Sequence, residues 1–86
     1  MFSADDIQAR LRQKPFRPLR IIASEGQQFD IHHPDLVLVG RRDLTIGFPD
    51  PNNPAIYDRV TRVAMVHVVS IEDLPTPPAP PGNGQG

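Results

Sequence analysis

F-R-P-L-R-I-I-A-S-E-G-Q-Q-F-D-I-H-H-P, residues 16–34, is the stretch whose reading decides the fold: two short strands joined by a tight turn. Pro15 and Pro18 push the residue before each toward extended backbone, so Lys14 and Arg17 leave the helical region and a strand begins near Leu19. From there Leu19, Ile21 and Ala23 share one face while Arg20, Ile22 and Ser24 share the other, the period of two of a half-buried strand. Ile22 on the second face predicts partial cover there. Residues 24–27 supply the turn, with Gly26 free to take the positive φ that a short hairpin loop demands. The chain returns over residues 28–32, with Phe29 and Ile31 inward and Gln28, Asp30 and His32 outward.

Upstream, Ser3 and Asp6 have the spacing of a capping box, and Phe2 and Ile7 occupy the two positions of a hydrophobic staple. A helix is predicted from Ala4 to about Lys14, laying Ala4, Ile7 and Leu11 on a sheet, with Phe16 anchoring its exit. Downstream, His33, Pro34 and Asp35 break the chain. Leu36, Val37, Leu38 and Val39 form an apolar run that reads as a strand buried on both faces. Gly40, Arg41, Arg42 and Asp43 make a turn into a second hairpin strand, where Leu44, Ile46 and Phe48 alternate inward. Residues 50–54, D-P-N-N-P, read as an exposed loop. Residues 56–71 fit a helical face through Val60, Val63 and Val66, yet their β-branched content favours strands, at residues 57–63 and again at 68–71 after a turn near 64–67.

Eighty-six residues allow one small domain, here residues 1–74, and so short a chain buries only about 60% of the surface its unfolded form exposes. Oligomerisation is one source of further burial. With no cysteine, the chain has no disulfides, thiolate catalysis or cysteine zinc sites. Residues 1–6 do not read as a secretory signal, and no apolar stretch approaches the ~20 residues of a membrane span, so a cytoplasmic protein is the expectation. Residues 75–86 hold five of the eleven prolines, three of the six glycines and no charge, and are expected to form a disordered tail. Their P-x-x-P spacings permit docking to a proline-reading domain, but no arginine flanks them.

Nine basic and ten acidic side chains give a net charge of −1, a poor start for a polyanion binder. The distribution is uneven, because Arg10, Arg12, Lys14, Arg17 and Arg20 fall in a stretch without acids. The simpler reading is a helix whose basic end complements its own dipole. Eight of the nine basic residues are arginine, suited to planar anions, and Arg41 and Arg42 sit in a turn. Asp43, Asp50 and Asp58 stand close to the later arginines, which favours pairing within the chain.

Catalytic and metal signatures are missing from this pattern. His32, His33 and His67 with Asp35 are the only conceivable metal cluster, and neighbours on a strand face opposite ways. His32 is expected at the surface, His33 at the turn before Pro34, and His67 partly buried and bonded to backbone. The serines, Ser3, Ser24 and Ser70, lack a nucleophile-elbow context, adjacent acids read as solvated ends, and no glycine spacing makes a phosphate loop. No cofactor is expected.

At F-R-P-L-R-I (residues 16–21), E-G (Glu25, Gly26) and H-P-D (His33, Pro34, Asp35), the chain resembles a family of short uncharacterised bacterial proteins. That family shares a leading helix, a Phe-Arg-Pro-aromatic-or-Leu start to a strand, an acidic-Gly turn and a His-Pro-acid corner. The resemblance covers about residues 5–74. It implies structural roles for Phe16, Pro18, Gly26, His33, Pro34 and Asp35 and brings no activity with it. Residues 50–54 and Gly40-Arg41-Arg42 depart from the pattern. Residues 19–26 and M-V-H-V-V-S-I (65–71) are also similar to the first and closing strands of Sm-like RNA chaperones, which place a short helix before a bent five-stranded barrel. The Gly and Asp-aromatic features of their second strand are not found between, so no RNA-site residue carries over. That likeness implies free edges pairing between subunits into a ring.

These readings converge on one helix followed by a small antiparallel sheet or SH3/Sm-like barrel of about five strands. Its expected core draws on Ile7, Leu11, Phe16, Leu19, Ile21, Phe29 and Ile31, then Leu36, Leu38, Leu44, Ile46, Val60, Val63, Val66 and Ile71. Three functions are expected in order. The first is a non-enzymatic interaction module whose partner is protein, a second copy included. The second is an Sm-like nucleic-acid binder using Arg10, Arg12, Lys14, Arg17 and Arg20, with Arg41 and Arg42 as further anion contacts. The third is an enzyme subunit needing residues from another chain.

Overall fold

Helix α1 (Ala4–Leu11) starts where the capping box places it. The Asp6 N–H donates to Ser3 Oγ at 3.2 Å, and the Ser3 N–H donates to the Asp6 carboxylate at 2.9 Å. Both donors would otherwise lack an intrahelical partner. The backbone bond holds the Asp6 carboxyl below its ordinary pKa, and the Ser3 hydroxyl adds to the effect. The helix stops short of the expected Lys14, with Arg12 as its cap, because Pro15 excludes Lys14 from helical backbone and the turn before it closes the helix.

The computed structural model describes residues 2–75; the expectations for the proline-rich tail at 76–86 lie outside them. Six strands follow the helix: β1 (Leu19–Ala23), β2 (Gln28–Ile31), β3 (Val37–Val39), β4 (Asp43–Asp50), β5 (Asn53–Ala64) and β6 (Val68–Asp73). They form two antiparallel sheets, in the orders β2-β1-β6 and β3-β4-β5, which do not close into a barrel. The first hairpin is as read from residues 16–34. Leu19 pairs with Ile31 and Ile21 with Phe29. Gly26 takes φ 86°, and its N–H donates to the Ala23 carbonyl at 2.9 Å. On its other side β1 pairs with β6, Leu19 opposite Asp73 and Ile21 opposite Ile71. Ile22 is half-buried, as its position on the second face predicts.

Ile7 and Leu11 of α1 join Leu19, Ile21, Ala23 and Ile31 of the first sheet and Val37, Leu44, Ile46 and Val63 of the second in one core, completed by Met65 and Val68. The helix lies against β3 and is tied to β6 by an Arg10–Asp73 ion pair, so it spans both sheets.

Three expected core residues are outside. Leu36 belongs to a 3-10 turn, Pro34–Leu36, so the strand is shorter than its apolar run; within it Val37 is buried and Leu38 is 70% exposed. Only one face of the second sheet is covered, and a period of two must then turn every second residue to solvent. Val66 is 62% exposed because the 3-10 turn Met65–His67 eclipses positions three apart, sending Met65 and Val68 inward together. Val60 is 54% exposed because it lies on the uncovered face of β5, opposite Gly47.

Candidate functional site

The β4–β5 hairpin is longer than the sequence reading allowed. Asp50 ends β4 and Asn53 begins β5, so D-P-N-N-P is a two-residue turn with strand on either side rather than a loop. Asp50 Oδ1 accepts the Asn52 N–H at 2.8 Å, and Pro51 stands at the position whose φ proline presets. Aspartate followed by proline is the signal that marks such a turn. Every residue from 53 to 60 is exposed.

Register sorts the two faces of this arm. Gly47 pairs with Val60, Thr45 with Arg62, and Leu38 with Thr45, so Leu38, Thr45, Gly47, Val60 and Arg62 share the outer face. Tyr57 joins them, because its ring lies directly over Gly47: a Cβ on that glycine would stand 3.0 Å from the ring. The Tyr57 hydroxyl donates to the Asp35 carbonyl at 3.1 Å. Leu38, Tyr57 and Val60 thus form an apolar patch around Gly47, each at least 44% exposed. On the inner face Arg59 stacks over Phe48 at 4.0 Å, and Phe48 meets Phe29 of β2 with ring centroids 6.3 Å apart. This column fastens the base of the arm to the first sheet. Beyond it Ile56 is 56% exposed.

The basic residues do not gather on one face. Arg10 is paired with Asp73, Arg20 with Asp30, and Arg62 with Asp43. Arg12 and Lys14 border a shallow concavity with Phe16 and Pro34 at the C-terminal end of α1. Arg41 and Arg42, both exposed, border another with Phe2 and Asp5 at its N-terminal end. Arg17 is exposed between Phe16 and Pro18. The expected face of Arg10, Arg12, Lys14, Arg17 and Arg20 is therefore interrupted by two internal ion pairs, and α1, about 12 Å long, separates the remainder from the Arg41-Arg42 turn.

The Arg20–Asp30 pair is bidentate, at 2.7 and 3.2 Å. Its hydrogen bonds hold the Asp30 carboxyl below the ordinary value of 3.8. A carboxyl with a lowered native pKa contributes stability that is present above its unfolded pKa and lost as pH falls through the native one. Urea melts between pH 6 and pH 2 are expected to show a wild-type advantage over Asp30→Asn that is full above about pH 4 and shrinks below it, the two converging in acid. A gap unchanged at pH 2 would mean that the pair contributes nothing through charge.

His67 corrects the sequence reading. It is exposed, and its imidazole Nδ1 lies 3.2 Å from Ser24 Oγ, while its carbonyl accepts the Ser24 N–H at 2.8 Å. The 3-10 turn presents the ring at the surface, where the hairpin serine meets it. No third polar group bonds to this pair among the described residues, none of which is a buried polar or charged side chain. His32 and His33 are exposed, and among the described residues no three His, Asp or Glu gather closely enough to hold a metal ion. Among the described residues no helix is long and apolar enough to cross a membrane.

The motif residues serve the scaffold. Phe16 packs half-buried on the core. The Pro18 carbonyl accepts the Leu74 N–H at 3.0 Å. His33 precedes the 3-10 turn and accepts the Leu36 N–H at 3.2 Å; Pro34 opens that turn, and Asp35 receives Tyr57. Comparison of the chain with protein-family models, curated proteins and solved structures finds no match.

Proposed function

We propose that the chain is a non-enzymatic protein-interaction module that docks through the outer side of its β4–β5 arm. The observation that carries this reading is the exposure of Tyr57 and Val60 on β5, whose far edge has no strand beside it among the described residues. An open edge offers backbone donors and acceptors to an added strand, and neighbouring apolar side chains supply its selectivity. The H-P-D corner supports the same reading, since the Asp35 carbonyl holds Tyr57 against Gly47 and so shapes the surface. The chemistry-bearing side chains are dispersed and exposed, which favours docking over catalysis.

A photoreactive benzoylphenylalanine in place of Val60, irradiated in the source cell, is the direct test, with the same residue in place of Gln27 as the control. The expected product is an adduct at position 60 alone, destroyed by protease and resistant to nuclease. A nuclease-sensitive adduct, or no adduct at position 60, overturns the reading.

A further inference from the structure

We propose that the partner of β5 is β5 of a second copy, paired antiparallel across a two-fold axis at Val60; this rests on the interaction-module reading above.

Four strands end the two sheets: β2, β6, β3 and β5. β2 and β3 have four and three residues, too short to template a stable ladder. β6 ends in Glu72 and Asp73, the second already bound by Arg10. β5 is the longest of all, and its register with β4 runs unbroken from Arg59 to Ala64. Pro54 and the register break that leaves residues 54–56 without partners spoil pairing nearer the tip, while the other break leaves Asp58 as a bulge beside the unbroken stretch. A new strand therefore finds its place around Val60.

Side-chain complementarity selects the register. A two-fold through Val60 sets Val60 against the partner's Val60 and Asp58, at the bulge, against the partner's Arg62, the heteropair occurring twice. Asp58 has no Cα partner on β4 and no ion pair among the described residues, while the Arg62 side chain is 74% exposed despite its bond to Asp43. An opposite charge across the ladder satisfies Asp58. An axis one residue on, through Thr61, sets Arg62 against the partner's Val60 and Asp58 against the partner's Ala64, leaving both charges unmatched, and an axis through Arg59 or Arg62 places like charges face to face, which destabilises a pair. Val60 is 54% exposed in the single chain and gains an apolar neighbour in this arrangement. Isologous pairing uses each edge once and closes at two copies.

Because the chain has no cysteine, one substitution reads the register. Residues opposite each other on antiparallel strands stand about 4.5–5.5 Å apart at Cα, within disulfide range. Light scattering of the wild type from micromolar to millimolar concentration is expected to rise to twice the chain mass. Oxidised Val60→Cys is expected to run as a covalent dimer on a denaturing gel, whereas Leu38→Cys, on the opposite edge of the same sheet, stays single. Asp58→Arg is expected to weaken dimerisation about tenfold by opposing arginines at both ends of the ladder. Circular dichroism of each variant checks that the fold is kept.

A wild type that stays monomeric throughout overturns this inference. A protease-sensitive photoadduct at position 60 with a different protein would then leave the interaction module standing without self-pairing. A dimer that crosslinks through Leu38→Cys, or through neither cysteine, also overturns it and assigns self-association to another surface.

Discussion

Replacing Ile21 with alanine is expected to remove about 2–5 kcal/mol of stability. Ile21 is fully buried in β1, the central strand of its sheet, between Phe29 on one side and Ile71 on the other. Both neighbouring strands are paired to β1, so neither can move in to fill the space, and the lost transfer free energy is joined by that of the cavity. A folded domain of about 74 residues has about 4–11 kcal/mol in all, at ~0.05–0.15 kcal/mol per residue. The variant should therefore be marginally folded, and a urea melt followed by far-ultraviolet circular dichroism should place its midpoint far below wild type. Ile22→Ala, at a half-buried position on the opposite face, is the matched control and should lose about 1 kcal/mol. Equal losses at the two positions would contradict the facing of β1.

Gly47→Val should be nearly as damaging, for the opposite reason. Its Cβ would arrive 3.0 Å from the Tyr57 ring, which is held in place by the hydroxyl bond to the Asp35 carbonyl. The ring must lift away, breaking that bond. Overpacking costs about 1–3 kcal/mol and the hydrogen bond contributes about 1 more. Tyr57 is the only tyrosine and the chain has no tryptophan, so intrinsic fluorescence reports this one ring. A changed emission or quenching rate is expected in Gly47→Val. In a Tyr57→Ala background the added valine should be close to neutral, a coupling that a double-mutant cycle measures. Additive losses would show that the valine acts elsewhere than on the ring.

The elements legible in the sequence are those whose determinants are local. Ser3 and Asp6 state the start of α1 three residues apart, and Pro18 with Gly26 brackets the first hairpin. The β-branched content of residues 56–71 favours strand over helix, and β5 and β6 are strands, with β5 starting earlier than residue 57. Facing was harder to read. In L-V-L-V, an unbroken apolar run, nothing distinguishes Val37 from Leu38, and the short 3-10 turn before it decides which faces in. The same ambiguity exchanged Met65 and Val66. Both are one-residue shifts, and a strand turns its whole apolar set over with each.

The candidate surface was less legible than the fold. Val60 reads as core because it is valine; only its pairing with Gly47, whose outer side the Tyr57 ring covers, puts it outside. D-P-N-N-P reads as a loop because proline and asparagine dominate both loops and tight turns. The run of basic residues in the sequence became a broken surface once Asp73 and Asp30 arrived from distant positions to pair with Arg10 and Arg20. Such encounters across the chain leave no periodicity to find.

The position of β1 between β2 and β6 also has a kinetic consequence. β2 follows β1 after a four-residue turn and can zip onto it at once, but Leu19 meets Asp73 only after about fifty intervening residues have found their places, a separation whose loop closure slows folding. The rate-limiting event is then the meeting of β1 with β6, on the millisecond-to-second scale of nonlocal sheets rather than the microseconds of helical bundles. Until it happens β1 carries a bare edge, L-R-I-I-A, with three side chains that end fully enclosed. The interval before β6 arrives is when this chain is most exposed to aggregation.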